Sequence, residues 1–293
     1  MPLYKARIAC PDLVVVPPDM QKYRNISHDI FAIFERCGRP VEGLSLDEAF
    51  IDIGPSAFDD AKAFAASIRR EVFDATQLTV SAGVATGKMV AKIASDACKP
   101  NGLLGVAPGE EETFLAPMPV GRLWGIGPKM QTRLSVFGVT TIGELAALDD
   151  AGLRDIFGSW WPQMRDLAHG LDRRRVATEH ETKSISTEET FEYDVSDERE
   201  LLEVLRTQAR ELAETLERER TVAQTIGVKI KRADFSILGR QTHLSEPTRD
   251  ARRIFRAAVY CLRRAALEGT PVRLLGTRVA SLSEGDARQT SLF

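Results

Sequence analysis

The sequence predicts an α+β protein of more than one domain, and three observations carry that prediction. Up to about Pro108, apolar residues switch between strand-like alternation and helical spacing with no regular repeat of the two. From Gly109 to Leu171 short helical stretches are punctuated by glycine, and beyond a charged stretch the order strand, helix, strand, strand, helix, strand follows. With 293 residues, 43% of them hydrophobic and 28% charged, the chain can bury a sizeable core.

Taken in order, "NISHDIFAIFERC" reads as a helix and "LDEAFIDI" as a strand. "SAFDDAKAFAASIRREVFDAT" places apolar residues three and four apart and reads as a helix, "LTVSAGVAT" as a strand and "KMVAKIASDAC" as a further helix. The stretch Asp172 to Thr182 is charged, lacks periodic apolar residues and reads as a linker. After "ISTEETFEYDV", a predicted strand, Leu201, Leu205, Leu212 and Leu216 form a helical stripe. In "TVAQTIGVKIKRADF", Ile226, Val228 and Ile230 alternate with Lys229 and Lys231, the mark of a half-covered strand. A last helix, "RDARRIFRAAVYCLRRAALEG", turns Ile254, Ala258 and Leu262 inward and its arginines outward.

Composition excludes several classes. The apolar run Leu13 to Val16 is too short for a signal segment and no stretch approaches the about 18 apolar residues of a membrane span, so a cytoplasmic protein is expected. Cys10, Cys37, Cys98 and Cys261 never form C-x-x-C and are expected as reduced core thiols; His28, His169, His180 and His243 are equally scattered. The net charge of −3 argues against a simple polycation. Its distribution is uneven: Lys229 to Arg278 holds twelve basic against four acidic residues, a local +8, after an acidic stretch from Glu181 to Glu219. A basic face able to meet phosphates is one reading; ordinary salt-bridged surfaces are the other.

Four motifs bear on chemistry. "GVATGKM" is not a phosphate-binding P-loop, because only three residues separate its glycines and Met89, not Ser or Thr, follows Lys88. Lys88, Lys92 and Lys99 punctuate the helix and turn that follow, where ammonium groups suit a triphosphate; a solvated lysine face is the bland alternative. "LWGIGPKMQTRLSVFGVTTIGEL" reads as helix, hairpin, helix, and its hairpin Gly125 to Gly127, with the next helix's N-terminus, can meet a DNA phosphate without reading sequence; a helix-turn-helix used only for packing is the other reading. Asp47 and Glu48 in "GLSLDEAFIDIG" would point to opposite faces of a regular strand, so they serve one site only where the backbone bends. Carboxylates at a bend suit magnesium, although such a pair taken alone is usually a solvated turn.

"SLDEAFIDI", "SAGVATGKMVAKIASDACKPNG", "LWGIGPKMQTRLSVFGVTTIGEL" and "KSISTEETF", in this order and spacing, closely resemble the Y-family DNA polymerases of the DNA polymerase IV (DinB) group. The resemblance runs essentially from end to end. It implies an incomplete polymerase right hand: a fingers remnant at 1–18, a palm at 19–107, a helix-hairpin-helix thumb at 108–171, a linker at 172–182, a βαββαβ little finger at 183–283 and a clamp-binding tail at 284–293. The activity implied is damage-bypass DNA synthesis by two-metal phosphoryl transfer to a primer 3′-hydroxyl.

In that reading Asp47 and Glu48 are catalytic carboxylates holding Mg2+, while Lys99 and Lys92 lie at the nucleotide triphosphate. Gly125, Ile126, Gly127, Lys129, Lys229, Lys231 and Arg240 lie at DNA. Gln289, Leu292 and Phe293 of "QTSLF" anchor in a sliding clamp, which gives a tethered enzyme a high effective concentration at the primer end. The implied partners are primer-template DNA, dNTP and the clamp, and the implied state is a monomer. The family's first metal-binding aspartate and aromatic steric gate have no counterpart here, and Met1-Pro2 resembles an internal Met-Pro of the fingers. Trp161 stands where the family usually has glycine. A chain weak or inactive in synthesis is therefore expected; the rival reading is a noncatalytic, clamp-tethered DNA-binding protein.

Overall fold

A computed structural model describes residues 1–179 and 181–285, which divide into two compact units at 179/180. In the first unit, α1 (Leu3–Ala9) buries none of its side chains. Asp19 accepts a hydrogen bond from the Lys22 amide at 3.0 Å and starts α2 (Met20–Arg36). Then come β1 (Val41–Gly43), β2 (Ala49–Ile51) and α3 (Phe58–Thr76), which ends where Gln77 takes a left-handed conformation. β3 (Ala82–Val84), α4 (Lys88–Ala97) and β4 (Leu103–Gly105) follow. Short helices complete the unit: α5 (Glu111–Leu115), α6 (Pro128–Val136), α7 (Ile142–Ala146), α8 (Asp150–Phe157) and α9 (Trp161–Ala168).

β1 and β2 form an antiparallel hairpin, with Glu42 opposite Phe50, whereas β3 and β4 are parallel. Parallel pairing needs a crossover, and α4 supplies it so closely that a Cβ on Gly83 would lie 1.9 Å from the Ala91 carbonyl oxygen. α2 and α3 bury Ile30, Ile33, Ile68 and Val72 between them. The larger core runs from Met89, Val90 and Ile93 of α4 through Leu115, Leu134, Leu145 and Leu153 to Leu167 of α9, without a break at the expected 107/108 boundary.

The second unit has the expected βαββαβ order: β5 (Ser184–Val195), α10 (Glu198–Arg218), β6 (Thr221–Arg232), β7 (Ile237–Thr248), α11 (Ala251–Arg263) and β8 (Val272–Glu284). Asp197 and Asp250 cap its two helices. The antiparallel sheet has the order β5-β8-β6-β7. Its helix-covered face carries the predicted stripes: Leu201, Leu205, Leu212 and Leu216 of α10 meet Ile226, Val228 and Ile230, and Ile254, Ala258 and Leu262 of α11 close the core. Lys229, on the other face, reaches Glu188 at 2.8 Å.

Two expectations are corrected. The strand drawn through "LDEAFIDI" is shorter, because Leu44–Glu48 is the loop of the hairpin and β2 begins only at Ala49. Of the four thiols only Cys261 is a core group; Cys10 is exposed and Cys37 and Cys98 are half-buried. Among the described residues no helix is long and apolar enough to cross a membrane.

Candidate functional site

The hairpin loop answers how adjacent carboxylates can share a site. The amides of Leu44 and Ser45 both donate to the Glu48 carbonyl, at 2.8 and 3.4 Å, which folds five residues into a tight turn. Asp47 is exposed at its tip, and Ser45 Oγ donates to Asp47 Oδ1 at 2.6 Å. Glu48 instead turns to α4, where Lys92 Nζ lies 3.0 Å from Glu48 Oε1.

α4 puts Lys88, Lys92 and Asp96 one turn apart, so they share one side of the helix. Its opposite side is apolar, with Met89, Val90, Ile93 and Ala94 buried. Lys92 also donates to Asp96 at 2.9 Å, and Lys99 reaches Asp96 from beyond the helix at 2.7 Å. A ladder Glu48, Lys92, Asp96, Lys99 of alternating charge results. Burial alone would lower the Lys92 pKa, but its hydrogen bonds to Asp96 and Glu48 outweigh burial and hold the ammonium above its usual range. Asp96 is shifted the other way: burial pushes its carboxyl up, and Lys99 and Lys92 together bring it below the usual value. Asp96 carried no signal in the sequence beyond its charge. Its role as the link between the two lysines emerges only from the fold.

Lys88, expected with the other two, is drawn elsewhere. It donates to both carboxylate oxygens of Glu42 on β1, at 3.0 and 2.7 Å, in a pair whose side chains are 10% and 7% exposed. Glu42 also accepts from the Ala177 amide at 2.7 Å. The charged stretch after Leu171 is therefore not simply solvated. Asp172, its side chain only 1% exposed, accepts from the Met89 amide at 3.0 Å and so caps α4, a helix whose own N-cap, Gly87, has no side chain to do so. Arg174 binds Asp172 with two nitrogens, at 2.8 and 2.7 Å, and its guanidinium lies 4.8 Å over the Trp124 ring, which in turn meets Phe50 of β2 edge-on.

A cavity of about 270 Å³ opens between α4 and the turn at Val120–Arg122, with Lys92, Asp96, Arg122 and Trp124 in its wall. It is smaller than the roughly 300–1,000 Å³ of pockets that engulf a drug-sized ligand. Oxygen donors such as Asp47 and Glu48 suit magnesium, and Glu48 is engaged by one lysine while Asp47 faces solvent. Among the described residues no three His, Cys, Asp or Glu side chains come together as a ligand set.

The predicted hairpin is present at Gly125–Gly127. Gly125 has φ +92°, a left-handed conformation that favours glycine, and Ile126 is buried as its anchor. A Cβ on either glycine would meet nothing within 4 Å, so a backbone can approach closely. No side chain caps α6, which leaves its N-terminus open beside Lys129. α7 opposite begins with a capping box: Glu144 accepts from the Thr140 and Thr141 amides and its own amide donates to Thr141. Those hydrogen bonds bring the Glu144 pKa to about 2. Because the folded value is depressed, the stabilisation is present above the ordinary value of 4.5 and is lost as pH falls through about 2. Carboxyl titration followed by NMR should show this low midpoint, and Thr141→Ala should raise it.

In the second unit Lys229 and Lys231 share the face away from the helices. Arg240 does not join them. It pairs with Val228 in register, shares the helix side with Leu238 and Leu244, and donates to the Arg264 carbonyl at 3.2 Å. Phe235, which the sequence did not single out, is exposed in the β6–β7 turn with Lys231 and Arg273 at 4.7 and 4.9 Å from its ring. Gln289, Leu292 and Phe293 lie outside the described residues.

Family models place these features in a wider set. Residues 1–96 match the impB/mucB/samB family, 108–139 the HHH motif of the IMS family, and 182–292 the impB/mucB/samB family C-terminal domain. The chain is 37% identical to a DNA polymerase IV of Desulfatibacillum aliphaticivorans, with 100% of this chain and 75% of that protein aligned. It is 40% identical to a DNA polymerase IV of Methanoculleus marisnigri, over 100% of this chain and 81% of the relative. Among solved structures, a Y-family DNA polymerase chimera of Dbh and Dpo4 superposes with a TM-score of 0.87 at 24% identity, covering 96% of this chain and 82% of that one. A DinB crystal structure from Sulfolobus solfataricus gives 0.60, also at 24%, over 98% and 84%.

Proposed function

The chain belongs to the Y-family DNA polymerases, among the DNA polymerase IV proteins of the impB/mucB/samB family, and from that membership we propose that it binds primer-template DNA and dNTP for damage-bypass synthesis. The observation that carries the assignment of its site is the ladder from Glu48 through Lys92 and Asp96 to Lys99, set beside the exposed Asp47. Lys99, 54% exposed, is free enough to leave Asp96 for a triphosphate, and Lys92 supports it from the helix. Asp47 and Glu48 would hold magnesium together with the triphosphate oxygens, and the ion supplies charge neutralisation and activation of the primer 3′-hydroxyl. Gly125, Ile126, Gly127 and Lys129 contact the DNA backbone, whose phosphates carry no sequence information, and Lys229 and Lys231 add a second contact. Arg240 has no part in that surface because its side chain is committed to the helix side. "QTSLF" at Gln289 to Phe293 docks on a sliding clamp.

With two carboxylates from these 293 residues and no counterpart of the family's first aspartate, primer extension by this chain is expected to be weak. Binding is expected to persist. Purified protein should bind recessed primer-template DNA and magnesium-dependent dNTP; Lys99→Ala should weaken dNTP about tenfold and spare DNA. Robust extension would overturn the weak-activity reading. DNA binding with no magnesium-dependent dNTP binding would support a noncatalytic DNA-binding protein instead.

A further inference from the structure

The basic excess of the second unit is divided between two opposite surfaces. Lys229 and Lys231 lie on the open sheet face, whereas α11 packs on the other face through Ile254, Ala257, Ala258, Cys261 and Leu262 and turns its remaining sides outward. Arg252, Arg256, Tyr260 and Arg264 recur at steps of four along that outward side, about 6 Å per step along the axis. Arg252 and Arg256 are exposed and meet no acidic partner among the described residues. Tyr260 is 54% exposed, and the Arg264 guanidinium lies 5.4 Å from its ring centre. Among the described residues only the margins of the stripe are neutralised, by Arg253 with Glu246 at 3.7 Å and Arg263 with Glu198 at 3.2 Å.

The neighbouring helix is an internal control. α10 covers the same sheet but mixes signs, as in its Arg206–Glu203 pair, which is how a merely solvated helix limits repulsion. α11 has no acidic residue. Like charges one turn apart destabilise a helix, so a row of them is best matched by a polyanion that neutralises it. The basic residues of α11 are all arginine, whose planar fork engages phosphate bidentately. An exposed tyrosine within the row offers a face to an unpaired base, and a duplex keeps its base faces covered.

We propose that the outer stripe of α11, Arg252, Arg256 and Tyr260, continued past the helix end by Arg264, whose guanidinium also donates to the Gln241 carbonyl at 3.2 Å, is a second nucleic-acid site that takes a single strand, on the side of the second unit opposite Lys229 and Lys231. The site stands whether or not the chain is a working polymerase.

Binding of fluorescein-labelled oligothymidylate and of a labelled blunt hairpin duplex to the full 293-residue protein tests it by anisotropy. Arg252→Glu with Arg256→Glu should weaken oligothymidylate by about tenfold or more and reduce its log–log salt slope by about 1.4, the value for two phosphate contacts on a single strand. Duplex affinity should stay within about twofold, because the sheet face is untouched. Tyr260→Ala should lower oligothymidylate affinity by about fivefold or more. Lys229→Glu with Lys231→Glu should do the reverse, weakening duplex and sparing oligothymidylate. Arg252→Lys with Arg256→Lys, which keeps charge and fold, should retain part of the affinity. Unchanged oligothymidylate binding in the glutamate variant would overturn the proposal, as would equal loss of both probes. Tighter binding of a polyglutamate peptide than of oligothymidylate, lost in the same variant, would also overturn it by making an acidic protein surface the occupant.

Discussion

Gly83→Ala is expected to destabilise the first unit by about 3 kcal/mol or more, at the top of the range for overpacking. The added Cβ would lie 1.9 Å from the Ala91 carbonyl oxygen and 2.5 Å from the Ser95 amide nitrogen, both backbone atoms of α4. No rotamer change relieves a backbone clash, so the helix must move away from β3. Moving it shifts Lys92 and Asp96 relative to Glu48. Hydrogen exchange read by peptide should therefore show faster exchange across α4, β3 and β4, with the peptides of β6 and β8 as an internal reference. Magnesium-dependent dNTP binding should fall in parallel. Unchanged exchange in α4 would mean that the helix is not seated on Gly83 as described.

The second large effect is expected at Asp172. Asp172→Ala leaves Arg174 without its carboxylate and the Met89 amide without its cap. Losing one member of a buried pair costs about 3–5 kcal/mol. Arg174 is 37% exposed and can recover some hydration, so about 2–4 kcal/mol is the appropriate expectation here. Asp172→Asn separates the two contributions, because an amide oxygen can still accept from Met89 but no longer neutralises Arg174. A pH signature accompanies this. Burial would raise the Asp172 pKa, yet the hydrogen bonds from Arg174 and from the Met89 amide, together with the Arg174 charge, bring it below the ordinary 3.8. A group depressed in the folded state stabilises fully above its unfolded value, and that stabilisation drains away as pH falls below about 4. Urea unfolding across this range should show a steeper acid loss for the native chain than for Asp172→Asn. Equal slopes would refute the assignment.

These two sites mark where reading from sequence succeeds and where it cannot. The second unit was legible because a sheet covered on one face imposes strict alternation, as in Ile226, Val228 and Ile230 against Lys229 and Lys231. Long amphipathic helices such as α10 were equally plain. β1 and β2 have three residues each, too few for a period to register, so the loop around Asp47 and Glu48 reads partly as strand. Asp172 sits in "LDRRRV", whose composition signals solvent; its burial arises from an 83-residue contact with α4 that no local pattern encodes. Arg240 shows the related limit for strands, since its face depends on register with β6 and not on its charge. The carboxylates and lysines of the site could be named, but their pairing through Asp96 could not.

The alternating ladder also has a thermodynamic consequence for the proposed site. In this state Lys92 spends its charge on Glu48 and Asp96, and Lys99 spends its own on Asp96. A triphosphate that drew Lys99 away from Asp96 would leave Asp96 to Lys92 alone and so loosen Lys92 from Glu48, which would strengthen that carboxylate's hold on a cation. Nucleotide and divalent ion would then be linked ligands, each tightening the other by the same factor whichever arrives first. In the proposed site these internal ion pairs would act as a placeholder, balancing the charges of Glu48 and Asp96 and freeing Glu48 for a cation once a nucleotide had taken Lys99.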